Sequence, residues 1–293
     1  MKILVTGANG FLGQHLCFYL LHKGFNVIAT GRGNCRIEEK AKLDYENIDL
    51  TNVEEVEKLF SRHQPDVVIH TAAMSKPDEC HVQRETCVLN NVTATQYLLE
   101  KANPDTHFIY LSTDFIFGEG GPHAEDAVPE PLNFYGESKL HAEQLVQASG
   151  LLAAIVRPVF IYGPSWIGMR PSFLHWVKNN LEQQKTIKVV SDQLRTPTYV
   201  YDICKGIDSI IRQREKGIFH LAGKDIISPY EMALTVAKVA GLDASLIENV
   251  TSDTFPEPVK RAKKSGLLIE KARSILHYEP VSFEEGVKLT FET

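Results

Sequence analysis

The amino-acid sequence predicts an α/β fold in which a doubly wound parallel sheet is followed by a smaller α/β portion. Short β-branched runs alternate with longer amphipathic runs through the first half of the chain, and this alternation is typical of βαβ units. The strand-like runs are apolar along nearly their whole length, which indicates a parallel sheet covered on both faces. Three closely spaced glycines separate the first strand-like run from the first helix-like run.

The predicted elements alternate strictly as far as residue 163. The apolar runs predict strands over 2–7, 26–31, 66–73, 107–113 and 152–163. The amphipathic runs between them predict helices over 12–24, 52–64, 88–102 and 135–149.

Beyond residue 163 helices dominate the pattern. The sequence predicts helices over 172–184, 199–217 and 228–241, with a short strand over 187–192. The apolar run 217–223 predicts a buried strand that returns to the main sheet. We therefore expect a first domain over residues 1–164, with about 199–223 returning to it, and a smaller C-terminal portion over 165–293.

Composition and charge narrow the class of protein. The chain of 293 residues is 43% hydrophobic and 23% charged, with a formal net charge of −6. This negative net charge argues against a nucleic-acid partner and against binding to an anionic membrane surface. The densest basic run, residues 260–264, is either a solvated face or an anion contact. The five cysteines show no C-x-x-C spacing, and no apolar run is long enough to span a membrane, so we expect a cytoplasmic protein.

The glycine cluster predicts a phosphate-binding turn. In TGANGFLG (6–13), Gly7 is expected to make the tight turn, Gly10 to admit a pyrophosphate, and Gly13 to let the helix pack on the sheet. The helix N-terminus adds partial positive charge. The alternative is a glycine-rich turn that binds nothing, because the spacing departs from the commoner G-x-G-x-x-G. Its position between a strand and a helix favours dinucleotide binding on a Rossmann sheet.

Residues after the second strand indicate which dinucleotide is bound. An acidic residue is expected near the end of that strand to hold the adenosine ribose, but the sequence there is ATGRGN. Arg32 takes that place, and an arginine neutralises a 2′-phosphate. NADP(H) is therefore favoured over NAD(H). Asp49 is either an adenine contact or, together with Thr51, a helix N-cap.

Tyr135 and Lys139 are candidates for proton transfer. They stand four residues apart near the start of a predicted helix, so they share one helix face. We expect the lysine ammonium and the helix N-terminus to lower the pKa of the phenol, which then protonates an alkoxide as hydride reaches a carbonyl. Lys139 also suits the nicotinamide ribose. Thr113 ends a predicted strand, where its hydroxyl can orient both the carbonyl and Tyr135.

These motifs together resemble the extended short-chain dehydrogenase/reductase superfamily over nearly the whole chain. HTAA (70–73), YGESK (135–139) and RPVFIYGP (157–164) are similar to its fourth-strand, catalytic-helix and sixth-strand motifs. The resemblance and the glycine loop together imply cofactor contacts by Gly7, Asn9, Gly10, Phe11, Leu12, Gly13, Arg32, Asp49, Leu50, Thr71, Ala72, Ala73, Asn91, Tyr135, Lys139, Arg157 and Pro158.

Within the superfamily, LSTDFIFG (111–118), DQLRTPTYVYDI (192–203) and GIFHLAG (217–223) are similar to dTDP-4-dehydrorhamnose reductases. The resemblance implies that residues 165–293 mainly bind substrate. It makes Thr113, Tyr135 and Lys139 catalytic and Asp114 a candidate sugar contact. Trp166 and Arg170 follow the YGP of residues 162–164, where a nucleobase or sugar could rest, and core packing is the equal alternative for Trp166. Arg261, within the basic run 260–264, is a further candidate substrate contact. The chain departs from the reductases at Phe11, where they usually have glutamine, and at Phe160, where they usually have tryptophan.

The resemblance implies reduction of a nucleotide-linked 4-ketosugar. Two alternatives stay open: a nucleotide-sugar epimerase or dehydratase, and a regulatory subunit similar to that of methionine adenosyltransferase. Family analogy suggests a homodimer through the helices near 88–103 and 135–149. The eleven histidines show no metal-ligand spacing, so we expect no metal.

Overall fold

The computed structural model describes residues 1–37, 42–166, 169, 171–256 and 258–292. The strands are β1 (Lys2–Thr6), β2 (Asn26–Gly31), β3 (Asp44–Asn47), β4 (Val67–His70), β5 (His107–Leu111), β6 (Leu152–Arg157), β7 (Ile161–Tyr162), β8 (Ile187–Val190), β9 (Thr198–Tyr199), β10 (Gly217–His220) and β11 (Ile247–Val250). The α-helices are α1 (Phe11–His22), α2 (Val53–His63), α3 (Pro77–Val82), α4 (Arg84–Val88), α5 (Ala94–Lys101), α6 (Phe134–Ala148), α7 (Phe173–Glu182), α8 (Val200–Gln213), α9 (Pro229–Ala240), α10 (Glu270–Leu276) and α11 (Phe283–Phe291).

A seven-stranded parallel sheet forms the centre of the molecule, in the order β10-β6-β5-β4-β1-β2-β3. The strand order reverses between β1 and β4, and ligands bind at such a switch point in doubly wound sheets. The predicted fold class is confirmed. The strand from the run 217–223 is β10, which pairs with β6 at one edge of the sheet.

Helices cover both faces of this sheet, as the apolar strands require. Side chains alternate along β1, so that Ile3 and Val5 join one apolar cluster and Leu4 joins another. The first cluster packs against α1, α8 and α10, and the second packs against α2, α5 and α6. Because both faces are buried, the ligand crevice is left to the loops at the carboxyl ends of the strands.

The structure departs from the predicted elements at several places. The edge strand β3 was not predicted, because its sequence DYEN is polar and carries no apolar signature. The predicted strand 152–163 divides into β6 and β7, because Pro158 cannot donate to a sheet and Phe160 takes a positive φ of 37°. The predicted helix 88–102 contains a π-helical turn, Leu89–Thr93, before α5 begins.

The C-terminal helices α7, α9 and α11 pack on the two-stranded sheet of β8 and β11 around a separate apolar cluster. The division of the chain into domains at residue 164 stays a prediction. Among the described residues, no helix has both the length and the apolar character that crossing a membrane requires.

Candidate active site

The glycine loop joins β1 to α1 and leaves no room for side chains at two positions. Gly7 has a φ of +68°, and a Cβ atom there would lie 2.6 Å from the backbone nitrogen of Ala72. A Cβ on Gly13 would collide with the carbonyl oxygen of Gly7. Gly10 is the N-cap of α1 and offers no side chain to the first helical N–H groups. These groups stay available to an anion, as the sequence predicted for a pyrophosphate.

A cavity of about 670 Å³ opens in front of this loop, between residues that follow β1, β2, β4, β5 and β6. Fifteen of the predicted cofactor residues line it: Gly7, Asn9, Gly10, Phe11, Leu12, Gly13, Arg32, Asp49, Leu50, Thr71, Ala72, Ala73, Tyr135, Lys139 and Pro158. We call it the cofactor cavity. The glycine loop, the strand ends and the start of α6 therefore border one space.

Two arginines, Arg32 and Arg36, line the end of the cofactor cavity near β2. The Asn9 side chain holds their loop, because its Nδ2 donates to the Arg32 carbonyl at 3.1 Å and its Oδ1 accepts from the Arg36 backbone N–H at 2.9 Å. The Asn9 amide thus organises the loop. Sequence reasoning missed Arg36, although its place five residues beyond β2 was a usable signal.

Asp49 lines the same cavity but does not cap a helix. Its carboxylate accepts hydrogen bonds from the backbone N–H and the hydroxyl of Thr51, at 3.0 and 2.8 Å. The N-cap of α2 is Asn52, which accepts from two backbone N–H groups. The capping alternative for Asp49 is therefore wrong. The hydrogen bonds from Thr51 lower the pKa of Asp49, with a smaller contribution from Arg32.

Tyr135 and Lys139 lie on the first turns of α6, which begins after the N-cap Asn133. Both side chains are buried at the edge of the cofactor cavity. The Lys139 ammonium donates to the Leu111 carbonyl at 2.7 Å, and the Tyr135 phenol shares a side-chain hydrogen bond with Thr113, whose hydroxyl also donates to Asp114 at 3.3 Å. The three predicted catalytic residues are thus close together where β5 ends.

The predicted lowering of the Tyr135 pKa is wrong. Burial raises the pKa of Tyr135, and the neighbouring Asp114 carboxylate adds to the increase, whereas the Thr113 hydrogen bond acts against it. Burial also lowers the pKa of Lys139 to about 7. Both effects have one physical cause, the loss of solvation around a charge.

A second cavity, of about 560 Å³, is lined mostly by residues that follow Tyr135 in the sequence, and we call it the aromatic cavity. Its polar lining residues are Asp114, Lys188, Gln193, Arg195 and Arg261, and its aromatic ones are Phe115, Phe160, Phe173, Trp176 and Phe255. Phe115 packs edge-to-face on Tyr135 with ring centroids 5.5 Å apart. Two neighbouring rings therefore stand where the two cavities approach each other.

Two predicted substrate residues, Asp114 and Arg261, line the aromatic cavity. Asp114 is buried and accepts a hydrogen bond from Ser265 Oγ at 2.6 Å, and burial raises its pKa. Arg261 pairs with Asp78 at 2.9 Å. Sequence reasoning missed Arg195, which lies within the similar stretch 192–203.

Three predicted contacts are not brought to either cavity. Trp166 stacks on His15 of α1 with ring centroids 4.2 Å apart, so it packs against that helix. Arg157 is buried against Glu143, with hydrogen bonds of 3.0 and 2.7 Å. Asn91 hydrogen-bonds both backbone groups of Met74 and so fixes the loop after β4. Arg170, a further sequence candidate near Trp166, lies outside the described residues.

Metal-ligating side chains do not cluster in the described ranges, where no group of three or more His, Cys, Asp or Glu is placed to hold a metal ion. His70, which ends β4, hydrogen-bonds Thr6 at 2.7 Å and Thr95 at 3.0 Å.

The parallel sheet, the glycine turn at its switch point and the Thr-Tyr-Lys group beside it define an NAD(P)-dependent oxidoreductase of the extended short-chain dehydrogenase/reductase superfamily. Within that class the chain belongs to the RmlD substrate binding domain family, whose model matches residues 1–293. The family resemblance drawn from the sequence motifs is therefore confirmed.

Similar proteins have several functions. The spore coat polysaccharide biosynthesis protein SpsK of Bacillus subtilis is 29% identical, over 91% of this chain and 88% of its own. Methionine adenosyltransferase 2 subunit beta of Rattus norvegicus is 30% identical, over 98% of this chain and 86% of its own.

Two solved structures share the fold over the whole chain. A dTDP-4-dehydrorhamnose reductase of Bacillus anthracis in complex with NADP has a TM-score of 0.85 at 26% identity, covering 100% of this chain and 99% of its own. A UDP-glucuronic acid 4-epimerase of Bacillus cereus, in complex with UDP-glucuronic acid and NAD, has a TM-score of 0.85 at 27% identity, covering 100% and 98%. This family of nucleotide-sugar enzymes thus includes both reductases and epimerases among its structural neighbours.

Proposed function

We propose that the chain reduces the 4-keto group of a nucleotide-linked deoxysugar with NADPH. The observation that carries this proposal is the hydrogen-bonded pair of Thr113 and Tyr135, with Lys139 one turn further along α6. The pair stands beside the cofactor cavity, and Asp114, the next residue after Thr113, lines the aromatic cavity. A carbonyl group held there has a proton donor within reach.

The cofactor cavity fits a dinucleotide. Gly7 and Gly13 leave backbone exposed where a Cβ atom would collide, and α1 offers its uncapped N-terminus to a pyrophosphate. Arg32 and Arg36 would hold a 2′-phosphate, which supports NADP(H) over NAD(H). Lys139 would hold the nicotinamide ribose. A bound nicotinamide dinucleotide supplies the hydride for carbonyl reduction.

The side chains of the site supply the proton. Because burial raises its pKa, Tyr135 carries its proton at neutral pH and donates it to the oxygen that becomes an alkoxide. Thr113 orients the phenol through their hydrogen bond. The positive charge of Lys139, when it is protonated, stabilises the phenolate that remains after the transfer.

The aromatic cavity suits a nucleotide diphosphate sugar. Its aromatic rings offer stacking surfaces to a base, and Arg195 and Arg261 offer guanidinium groups to a diphosphate. Asp114 would accept a sugar hydroxyl. The name of the Bacillus anthracis neighbour supports a dTDP-linked 4-ketosugar as the substrate.

The regulatory alternative is favoured by one specific observation, the 30% identity to methionine adenosyltransferase 2 subunit beta. In that case the chain would bind a synthetase and would retain the cofactor cavity without turnover. We further propose a homodimer through the helices near 88–103 and 135–149, supported by the partly exposed Val88 and Leu89. The free state of all five cysteines supports a cytoplasmic location.

The test is a reductase assay with NADPH and a panel of dTDP- and UDP-linked 4-ketosugars. Continuous loss of the reduced cofactor with formation of a reduced sugar is expected. Product formation without net loss of NADPH would instead indicate an epimerase or dehydratase. If no ketosugar in the panel is turned over and a methionine adenosyltransferase copurifies with the chain, the regulatory alternative replaces the proposal.

A further inference from the structure

The edge strand β3 is polar, and its side chains contact different parts of the protein on its two faces. Side chains alternate along a strand, so Tyr45 and Asn47 lie on one face of β3 and Glu46 lies on the other. The Glu46 carboxylate contacts Arg62 and His63 of α2, at 2.6 and 2.7 Å. Tyr45 and Asn47 instead hydrogen-bond the loop that follows β2. The strand therefore holds α2 on one face and this loop on the other.

The loop that β3 holds comprises residues 31–36, and we call it the arginine loop. The Tyr45 hydroxyl donates to the carbonyl oxygens of Gly31 and Gly33, each at 2.9 Å. The Asn47 side-chain oxygen accepts from the backbone N–H of Gly33 at 2.7 Å. Gly33 has a positive φ of 77°, so the loop turns sharply between these two contacts. Tyr45 and Asn47 thus hold this turn from one side.

Asn9 of the glycine loop holds the arginine loop together with Tyr45. Asn9 Nδ2 donates to the carbonyl oxygens of Arg32 and Asn34 and to the Tyr45 hydroxyl, at 3.1, 3.0 and 2.8 Å. The carbonyl groups of residues 31–34 therefore all accept a hydrogen bond from one of two side chains. Carbonyl oxygens carry partial negative charge. With these oxygens engaged by donors, a phosphate bound at the loop would meet less repulsion from its backbone.

The arginine loop carries two cations to the cofactor cavity, whereas β3 stays outside it. Arg32 and Arg36 both line the cofactor cavity, and neither Tyr45 nor Asn47 does. Both arginines are exposed, and fixing a long, exposed side chain on a ligand costs conformational entropy. A backbone that is already held in place lowers that cost. Tyr45 and Asn47 can therefore influence a bound anion only through the loop that they hold.

We propose that Tyr45 and Asn47 are positioning residues that hold Arg32 and Arg36 in place for the 2′-phosphate of NADP(H). The edge strand then sets the preference between NADP(H) and NAD(H). This inference deepens the proposed function and rests on its preference for NADP(H). It does not depend on the turnover of a ketosugar, because selectivity for the 2′-phosphate is a property of binding alone.

The test is isothermal titration calorimetry of the full chain with two probes, adenosine 2′,5′-bisphosphate and adenosine 5′-monophosphate, which differ only by the 2′-phosphate. The selectivity ratio is the Kd of the monophosphate divided by the Kd of the bisphosphate. Tyr45→Phe should lower this ratio about 10-fold, because two loop carbonyls lose their donor and Asn9 loses an acceptor. Asn47→Ala removes a single hydrogen bond and should lower the ratio about 2- to 10-fold. The affinity for the monophosphate should stay close to that of the wild type in both variants.

Two controls separate positioning from a general effect on the strand. Glu46→Gln changes the same strand on its opposite face, so the selectivity ratio should equal that of the wild type. In a variant that carries both Arg32→Ala and Arg36→Ala, adding Tyr45→Phe should change the ratio no further, because residues that act through one another are not additive.

Each outcome supports or overturns the inference. An unchanged ratio in Tyr45→Phe, an equal loss of affinity for both probes, or the same decrease in Glu46→Gln would overturn it. A wild-type ratio of one would refute the proposed preference for NADP(H) and this inference with it. If the ratios change as expected and no ketosugar is reduced, the proposed reductase function fails while the positioning role of Tyr45 and Asn47 is supported.

Discussion

Arg157 was predicted from its motif as a cofactor contact, and the structure gives it a different task that can be measured. Its guanidinium forms two hydrogen bonds with Glu143, of 3.0 and 2.7 Å, and the two side chains are 3% and 2% exposed. In Arg157→Met the carboxylate of Glu143 stays buried without a partner. Breaking a buried ion pair in this way costs about 3–5 kcal/mol of unfolding free energy.

The assay is chemical denaturation at neutral pH, together with a titration of NADPH. A loss of about 3–5 kcal/mol corresponds to a decrease in melting temperature on the order of 10 °C for a chain of this size. The affinity for NADPH should change less than twofold, because Arg157 does not line the cofactor cavity. Adding Glu143→Gln to Arg157→Met removes the unpaired charge and should restore most of the lost stability.

A matched control is the exposed pair of Arg62 and Glu46, which has a similar distance of 2.6 Å but an arginine side chain that is 66% exposed. Surface ion pairs contribute about 0–1 kcal/mol, so Arg62→Met should be nearly neutral. The reasoning is refuted if Arg157→Met costs no more than Arg62→Met. If Arg157→Met instead weakened the binding of NADPH at unchanged stability, Arg157 would be a cofactor contact, as the sequence predicted.

Three further predictions concern the site itself. Tyr135→Phe should lower kcat by about 10²- to 10⁴-fold with nearly unchanged cofactor affinity, while the remote Tyr19→Phe keeps the wild-type rate; equal rates for both would exclude a catalytic phenol. Arg32→Ala and Arg36→Ala should each weaken the binding of NADPH by about 10- to 100-fold more than the binding of NADH, because each variant loses a charge-assisted hydrogen bond to the 2′-phosphate. Fluorescence titration measures both affinities, and equal losses for the two cofactors would argue against the 2′-phosphate contact. Burial lowers the pKa of Lys139 to about 7 in the folded protein, whereas an unfolded lysine keeps a pKa of about 10.4. Between these two values the unfolded chain binds more protons than the folded chain, so the free energy of unfolding of the wild type should rise from about pH 7 to pH 10. Lys139→Met should lose this rise in urea denaturation series, and an equal slope in both proteins would contradict the assignment.

The fold and the glycine loop could be predicted because their signals are local. Apolar runs of strand length alternate with helix-length patterns, and Gly7 and Gly13 stand at positions where the backbones of Ala72 and Gly7 leave no space for a Cβ atom. Such steric demands require glycine at fixed sequence positions, where it can be recognised. The edge strand Asp44–Asn47 carries no such sequence signal, because hydrogen bonds to β2 rather than buried side chains hold it in the sheet.

The aromatic cavity could not be assembled from the sequence. Its walls come from residues as distant along the chain as Asp114, Trp176 and Arg261, and no periodicity connects them. A shared motif also does not fix which way a side chain points. Arg157 and Pro158 are neighbours in one motif, but Pro158 borders the cofactor cavity while Arg157 faces Glu143 on α6.

Burial determines the charge state of the site, and this bears on the direction of proton transfer. Desolvation lowers the pKa of Lys139 and raises those of Asp114 and Tyr135, so each group is pushed toward its neutral form. A neutral phenol is the form that donates a proton, and the reduction of a carbonyl requires such a donor rather than a base. The oxidation of an alcohol would require the phenolate, which the buried environment disfavours. The protonation state of the site near neutral pH therefore suits the proposed reduction, whereas the balance between reduction and oxidation is set by the reactants.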